Sequence, residues 1–589
     1  MCRVDNPRAR GFRRWLWAIV LAALAVRLTV CVELADTDAV VHPPRTTDMA
    51  TYQALARDAL RGTRPDVYYY QPFYYAVFLP AVYTVCGTGR WGPMVAQSAL
   101  GAATALLVGL LAARLYGRRA GLVAAALLAA ARLHTFYTAF TLVEVLQSFW
   151  IALLAVLALW AGRRGGLWRW GVTGFVAGLA VLTRGNALLL VPALLAVLAW
   201  SGRRQPRRLA LGVPLFVLCL YLPQTPYIVH NSLARGRLTG PSTAADAVLA
   251  LGNTPEAPPG IPGPTYYPPT WQAWMARANA DGPAHRSVAA HMLEWMRREP
   301  LALPELKWRM FLLFWNPREL PNNVNIGVDG ARSRLLRPFV LLEFGLIAPL
   351  ALAGMLFDAP RARRSARRLF LHGLVWSLCL GTVLFYIIAR LRLAVVPLLC
   401  VFAGVALDRL WRSGRAWRLA AAAAGAGPLS SSPSAFPARA CRQRMLVSAL
   451  AVAVAALFVY RAFPFYQAVP GPAVLRLARP HGVLAELPDG GRLLYDHGPL
   501  LVGGWESVEL APHGEAFTKT LSLPPACQGA LAGGIRLAVA AEDAGEILVT
   551  VRHGGRTVSR QTCAVVARPG PQWLEAPFSP PLEVGGDEL

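Results

Sequence analysis

Two carboxylates and three guanidinium groups stand at the edges of apolar runs, where charge is least expected. Asp48 lies in Thr46-Thr47-Asp48-Met49-Ala50-Thr51-Tyr52, just past the first apolar run. Glu144 follows Phe136-Tyr137-Thr138-Ala139-Phe140-Thr141 at the head of another. Arg184, in Leu182-Thr183-Arg184-Gly185-Asn186, and Arg390 and Arg392 border further runs. A carboxylate within hydrogen-bond reach of a hydroxyl can remove its proton as a general base. Guanidinium groups bind phosphate in a bidentate manner and stabilise charge on a departing oxyanion. Each residue also has an ordinary reading. Asp before a helix is a good N-cap, Glu in a first turn answers the helix dipole, and Arg at the end of a span snorkels to the interface. An ionisable group at membrane depth is expensive, which keeps a functional role for Glu144 open.

The placement of these groups follows from how the chain lies in a bilayer. Of its 589 residues, 55% are hydrophobic and 15% charged, where soluble domains carry about 25% charged residues. Mean hydropathy is +0.41. Arginine clusters at Gly11–Arg14, Arg114–Arg119, Arg163–Arg169, Arg203–Arg208, Arg361–Arg368 and Arg409–Arg418 fall on every second connection. Cytoplasmic loops retain Lys and Arg, so the N-terminus is expected inside and the large polar segments outside. Arg184, Arg390 and Arg392 break that pattern at the outer face, which points to an anionic ligand there. The net charge of +27 sits in short loops rather than along one stripe, so nucleic acid is not expected as a partner.

A spanning helix needs about 20 mostly apolar residues. About eleven runs are candidates: Arg14–Leu34, Pro93–Leu115, Ala120–Leu133, Phe140–Trp160, Trp170–Thr183, Ala187–Trp200, Leu209–Tyr227, Leu335–Phe357, Leu369–Ile388, Leu391–Leu410 and Met445–Phe463. Trp15 to Val32 resembles a signal peptide, but Arg27 interrupts it and no cleavage pattern follows, so an uncleaved first span is expected. Arg27 is expected to pair with an acidic residue. The outer segment 35–92 shows helical spacing after Asp48 (Tyr52, Leu55, Ala56, Leu60), then an aromatic patch, Tyr68 to Tyr75. Aromatics with polar tips favour the interface, so Pro72 to Val85 reads as an interfacial helix. Segment 228–334 is Pro-rich with helical pieces at Trp271–Ala280 and Ser287–Arg297, and Ala420–Ala438 reads as a flexible loop. Alternating runs such as Ile535–Ala540 and Ile547–Val551 suggest a small β-sandwich. The expected fold is an all-α polytopic membrane module over 1–463, with outer loops 35–92 and 228–334, and an outer β-rich domain over 464–589. Cys527 and Cys563 lie in that domain, where a disulfide between them is chemically allowed. Asp36-Thr37-Asp38 matches a D-x-D pattern used to hold a metal on a diphosphate, a weak three-residue sign.

The residues from Arg14 to Leu410 resemble the multi-spanning GT-C glycosyltransferases, the superfamily of protein O-mannosyltransferases and lipid A aminoarabinose transferases. The resemblance rests on Asp48 with Tyr52 and Ala56, Gln71-Pro72 opening the interfacial helix, Glu144, Gly178 to Arg184, His230-Asn231 through Gly252-Asn253, and Arg390-Leu391-Arg392 before Pro397. It implies a sugar donor on a polyprenyl phosphate, transfer to a glycan, lipid or protein hydroxyl on the outer face of the bacterial cytoplasmic membrane, and contact with membrane lipids. Asp48 matches the family's catalytic aspartate and Glu144 its second acidic position. Family members often carry Lys where this chain has Gln71, which shifts expected donor-phosphate binding to Arg184, Arg390 and Arg392. Tyr52, Gln71, His230 and Asn231 are expected to line the donor or acceptor pocket. A divalent metal is possible, although no ligand cluster supports it. The alternative is a polytopic transporter or lipid flippase, but neither an internal repeat nor an acidic residue near mid-span is evident.

Overall fold

The structure, a computed structural model, describes residues 7–41, 43, 47–164, 166–255, 257, 269–280, 284–317, 319–320, 322–327, 329–425, 435–460, 483–486, 492–494, 531–541, 544–553, 556–566 and 568–583. It divides into two compact units, Met1–Pro470 with Pro499–Glu506, and Gly471–Gly498 with Ser507–Leu589.

The first unit is helical. Its elements are α1 (Pro7–Leu34), α2 (Asp38–Val41), α3 (Asp48–Leu60), α4 (Phe73–Cys86, opening with a π-helical stretch), α5 (Trp91–Tyr116), α6 (Arg118–Ala129), α7 (Arg132–Phe136), α8 (Glu144–Arg164), α9 (Leu167–Thr183), α10 (Val191–Gly202) and α11 (Pro206–Tyr221). There follow α12 (Thr225–Arg235), α13 (Ala245–Leu251), α14 (Pro269–Asn279), α15 (Val288–Arg298), α16 (Ala302–Phe314), α17 (Phe344–Ala362), α18 (Ala366–Phe385), α19 (Ala389–Arg392), α20 (Val396–Gly425) and α21 (Ala435–Tyr460). Among the described residues eight helices are long and apolar enough to cross a membrane, or nine if α11 and α12 count as one bent span. The expected count of about eleven runs was higher. The difference lies in α6 and α9, with 12 and 17 residues, which rise only about 18 and 26 Å.

Two expected spans change shape. Leu209–Tyr227 is broken by a 60° bend between α11 and α12. Pro223 at the break has no N–H to continue the ladder, and Gln224 Nε2 instead donates to the Leu220 carbonyl at 2.8 Å. The span expected from Leu335 begins only at Phe344. Upstream, Leu342 N donates to Ala130 O and Arg132 N to Leu342 O, while Arg132 Nε donates to Leu336 O and its guanidinium pairs with Glu343. Backbone tied to the 130–132 turn is unavailable to a helix.

Helix packing is close where residues are small. On α9, a Cβ at Gly174 or Gly178 would meet the Phe216 or Leu220 carbonyl oxygen of α11 at 2.3 Å. Glycines one turn apart let two helix backbones touch, the usual device of membrane helices. Arg27, fully buried in α1, corrects the expectation of an acidic partner. It donates to the carbonyls of Ala23, Leu128 and Ala129 and to His134 Nδ1. The last carbonyls of α6 lack helical partners, and a guanidinium with five donors supplies them.

In the second unit the described strands are β1 (Val483–Glu486), β2 (Arg492–Leu494), β3 (Leu531–Ala541), β4 (Gly545–His553), β5 (Arg556–Val565) and β6 (Arg568–Glu583). They form three antiparallel pairs, β1–β2, β3–β6 and β4–β5. Cys563, Val565, Leu574 and Ala576 form a small core with Ile547 and Val549. Cys563 is buried; Cys527 lies outside the described residues.

Candidate functional site

Four short stretches far apart in sequence bring charge together. Thr47 caps α3, its Oγ1 accepting from Ala50 N. Asp48 is therefore the first helical residue rather than the cap, and its carboxylate is free to reach outward. Arg390, on the one-turn α19, donates to Asp48 Oδ2 at 2.6 Å. Its NH1 lies 3.6 Å from Glu144 Oε1, at the N-terminus of α8. Arg184, the residue that ends α9, meets the same Glu144 oxygen at 2.6 Å. Ser148, one turn along α8, donates to the Leu393 carbonyl at 3.1 Å and so fixes α8 against the chain leaving α19.

The result is a row Asp48–Arg390–Glu144–Arg184 of alternating sign. The Glu144 side chain is 1% exposed and that of Arg390 8%, whereas Arg184 and Asp48 are 16% and 20% exposed. The row thus has a buried middle and two accessible ends. Burial pushes the Asp48 carboxyl up, but Arg390, the Asn323 amide and the more distant Arg184 outweigh it and hold the group below its usual range. Among the described residues, Glu144 Oε2, Arg390 Nε and Asn186 Oδ1 are buried without a hydrogen-bond partner. Native proteins rarely leave such atoms unmatched, and each asks for an explanation.

Asn323 was not anticipated from sequence. Its Nδ2 donates to Asp48 Oδ2 at 2.9 Å, and its backbone takes φ 62°, a left-handed conformation that Asn adopts more readily than most residues. The Asn-rich run Asn322-Asn323-Val324-Asn325 was the available signal. The turn is closed behind it, since Asn325 N donates to Asp329 Oδ2 at 2.6 Å and Gly327 N to Asn325 Oδ1 at 2.9 Å.

The other expected site residues divide. Tyr52, one turn after Asp48, is buried among the rings of Tyr70, Tyr74 and Tyr75. Gln71 is next to the Arg184 loop, because a Cβ on Gly185 would meet its Nε2 at 3.1 Å. Arg392 corrects the phosphate-binding expectation. It is 1% exposed, donates to the carbonyls of Phe314 and Asn316, and stacks over Phe344. Residues two apart on a helix do not share a face, so Arg390 and Arg392 diverge. His230 and Asn231 likewise depart from the expected pocket. His230 Nε2 bonds the carbonyls of Pro65 and Asp66, and Asn231 accepts from Tyr68 N and donates to Gly240 O. Together they anchor the loop that leads into α4. Asp36 of the D-x-D pattern is engaged by Arg90 at 2.6 Å. Among the described residues no three of His, Cys, Asp and Glu gather as metal ligands.

These observations define an integral membrane protein with a buried charge row at one end of its helices. Residues 70–227 match the family model of dolichyl-phosphate-mannose-protein mannosyltransferases. That stretch contains Gln71, Glu144 and Arg184, whereas Asp48 and Arg390 lie outside it. No curated protein matches the chain in sequence. Among solved structures, the chain is similar to the apo oligosaccharyltransferase of Archaeoglobus fulgidus, with 14% identity, 76% of this chain and 56% of that chain covered, and a TM-score of 0.41. The oligosaccharyltransferase AglB of the same organism, in complex with an inhibitory peptide and a dolichol-phosphate, gives 15% identity, coverage of 77% and 56%, and 0.40. ArnT of Cupriavidus metallidurans bound to undecaprenyl phosphate gives 18%, coverage of 76% and 75%, and 0.40. The chain thus spans little more than half the length of the archaeal enzymes.

Proposed function

We propose that the protein is a GT-C-type glycosyltransferase of the bacterial cytoplasmic membrane. It moves a sugar from a polyprenyl-phosphate donor to an acceptor hydroxyl on the outer face, with the N-terminus cytoplasmic and the strand-bearing unit outside. The observation that carries this reading is Arg390 held between Asp48 and Glu144 with buried polar atoms left unmatched around it. The family match over residues 70–227 supports it.

In this reading Arg390 and Arg184 take the donor phosphate. A carboxylate held by a guanidinium is a weak base, because the cation favours its charged form. Phosphate competes for the same donors, so donor binding draws Arg390 away from Asp48 and restores the basicity of that carboxylate. Asp48 then accepts the proton of the acceptor hydroxyl. The acceptor oxygen bonds to the anomeric carbon as the bond from that carbon to the phosphate oxygen breaks. The electron pair leaves with the polyprenyl phosphate, whose charge the arginines stabilise. One displacement inverts the anomeric centre. Glu144 holds both arginines in place between turnovers, and Asn323 orients Asp48.

The test has two arms. Mass spectrometry of cell-envelope glycans, lipids and glycoproteins with and without the gene should show one sugar addition that disappears in its absence. The purified protein should retain undecaprenyl phosphate through detergent extraction. An unchanged envelope together with no retained lipid would exclude the transferase.

A further inference from the structure

The backbone that carries Arg390 is held on both sides of that residue by α16 and the residues after it. Arg390 spends its side chain on Asp48 and Glu144, so its backbone needs a separate anchor. That backbone leaves α18 at Phe385 and runs extended through Tyr386 and Ile388 into α19. At the far end Ala389 N donates to Leu320 O at 2.9 Å, and Arg392 donates to the Phe314 and Asn316 carbonyls. Tyr386, between the two ends, lies in the field of Arg390, Arg184, Asp48 and Glu144. The held stretch therefore passes beside the charge row.

The near end is anchored by Lys307 of α16. Its Nζ donates to the Leu384 carbonyl at 3.1 Å, to the Gly252 carbonyl at 3.0 Å and to Met310 Sδ at 3.3 Å. Asn253 Nδ2 donates to the same Leu384 oxygen at 3.0 Å. A Cβ on Gly252 would meet the Phe385 carbonyl oxygen at 1.6 Å, so the ends of α13 and α18 meet backbone to backbone. Leu384 O is among the last carbonyls of α18, which have no partner within the helix. An ammonium has three N–H groups for its three acceptors, whereas a neutral amine turns a lone pair on one of them.

No opposite charge offsets the burial of Lys307. On α16 Glu305 pairs with Arg309, and on α13 Asp246 accepts from Val288 N. Over residues 373–385 α18 brings the thiol of Cys379 and no charge. Tyr386, close to Gly252, stays neutral because burial pushes its hydroxyl up. Burial alone therefore pulls the Lys307 ammonium down to about 7. An arginine in its place could not shed a proton near neutral pH. The helix dipole accounts for a cation at the end of α18, but not for α16 and its trailing residues also bonding residues 389 and 392, so that Arg390 is bracketed.

We propose that Lys307 is a positioning residue for Arg390, acting through residues 384–389, and that the grip of Arg390 on phosphate requires the charged form of Lys307. The proposal rests on the reading of Arg390 as a ligand of the donor phosphate. Raising the pH through about 7 frees residue 384 and loosens the chain that leads to Arg390.

The experiment measures undecaprenyl phosphate affinity and the thermal unfolding midpoint of the full-length protein in detergent, from about pH 6 to about pH 9. Wild type is compared with Lys307→Met. At about pH 6 the wild type should bind about tenfold tighter, a usual size for coupling between sites. That ratio should shrink to about one at about pH 9, where the lysine is neutral. Stability has the opposite sign. A lysine that titrates at about 7 when folded and at about 10.4 when unfolded makes stability rise with pH over that interval. The wild-type midpoint should therefore gain on that of Lys307→Met while its advantage in donor affinity falls. A residue that only braced the fold would move both together. An affinity ratio that does not change with pH, or equal affinities at about pH 6, would overturn the proposal. Should Lys307→Met not fold, Lys307→Arg takes its place. Its affinity relative to wild type should rise about tenfold over the same pH range, and an unchanged ratio would overturn the proposal. Failure of the wild type to bind undecaprenyl phosphate at any pH would overturn the donor reading itself, so the two failures are separable.

Discussion

The two ends of α18 carry charge clusters of opposite character. Near its start, Asp358 of α17 accepts from Tyr116 Oη at 2.9 Å, from Arg368 NH1 at 2.9 Å and from His372 Nε2 at 3.3 Å. Arg368 also donates to the Leu115 carbonyl and lies over the Tyr116 ring. Beyond its end stands the Asp48–Arg390–Glu144–Arg184 row, with Glu144 Oε2 and Arg390 Nε unmatched among the described residues. A buried polar network that is fully satisfied rigidifies a fold, whereas a partly satisfied one stores unfavourable desolvation. The first cluster therefore braces α5, α17 and α18. The second leaves buried polar atoms unmatched, the feature on which the proposed donor site rests, and sequence alone gives both the same look of charges in apolar runs.

Exchanging the roles of these clusters by mutation should separate them cleanly. Asp48→Asn should lower sugar transfer by about 10²-fold or more, the usual contribution of a general base. Its unfolding midpoint should barely move, because Thr47 still caps α3 and Arg390 keeps Glu144. Asp358→Ala should do the reverse, destabilising by about 3 kcal/mol because Arg368 loses its buried partner, with transfer per folded molecule unchanged. If Asp48→Asn loses as much stability as activity, the charge row is a brace as well.

Arg390 and Arg392 sharpen the same contrast within one turn. Arg390→Lys keeps the charge but loses the planar fork that grips phosphate, so retention of undecaprenyl phosphate should fall about tenfold, or about 1.4 kcal/mol. Arg392→Lys should leave retention alone and reduce stability by about 1 kcal/mol, since its bonds go to the Phe314 and Asn316 carbonyls. Equal loss of lipid from both variants would remove the distinction.

Much of the helical arrangement was readable from the chain because a bilayer sets the length of its apolar runs. Every expected span overlaps a helix or a bent helix pair within the described residues, although the one expected from Leu335 starts only at Phe344, and the alternation of arginine clusters singled out Arg184, Arg390 and Arg392 as exceptions. What escaped was set by loops. Asn323 sits between α16 and α17, where no periodicity marks a position. His230 and Asn231 were expected to line the donor or acceptor pocket, yet their polar atoms go to backbone groups of residues 65–68 and 240, a demand visible only once the loop is placed. Arg392 was misjudged by proximity in sequence, which on a helix puts neighbours on different faces.

The smallest effect concerns the turn that presents Asn323. Burial pushes the Asp329 carboxyl up to about 6, against the pull of its bonds to the Asn325 and Asp329 backbone N–H groups. The folded chain therefore keeps a proton that the unfolded chain, with an ordinary carboxyl near 3.9, releases earlier. This contribution to stability is complete below about pH 4 and is lost as the pH rises through about 6. Asp329→Asn removes the titrating group and should flatten the fall in unfolding midpoint between about pH 4 and about pH 6. The same substitution should loosen the turn and weaken the hold of Asn323 on Asp48, lowering transfer only slightly because Asn323 itself is kept and an amide at 329 can still accept from Asn325 N. A wild-type midpoint that falls with pH no more steeply than that of the variant would show that the Asp329 proton does not govern this turn.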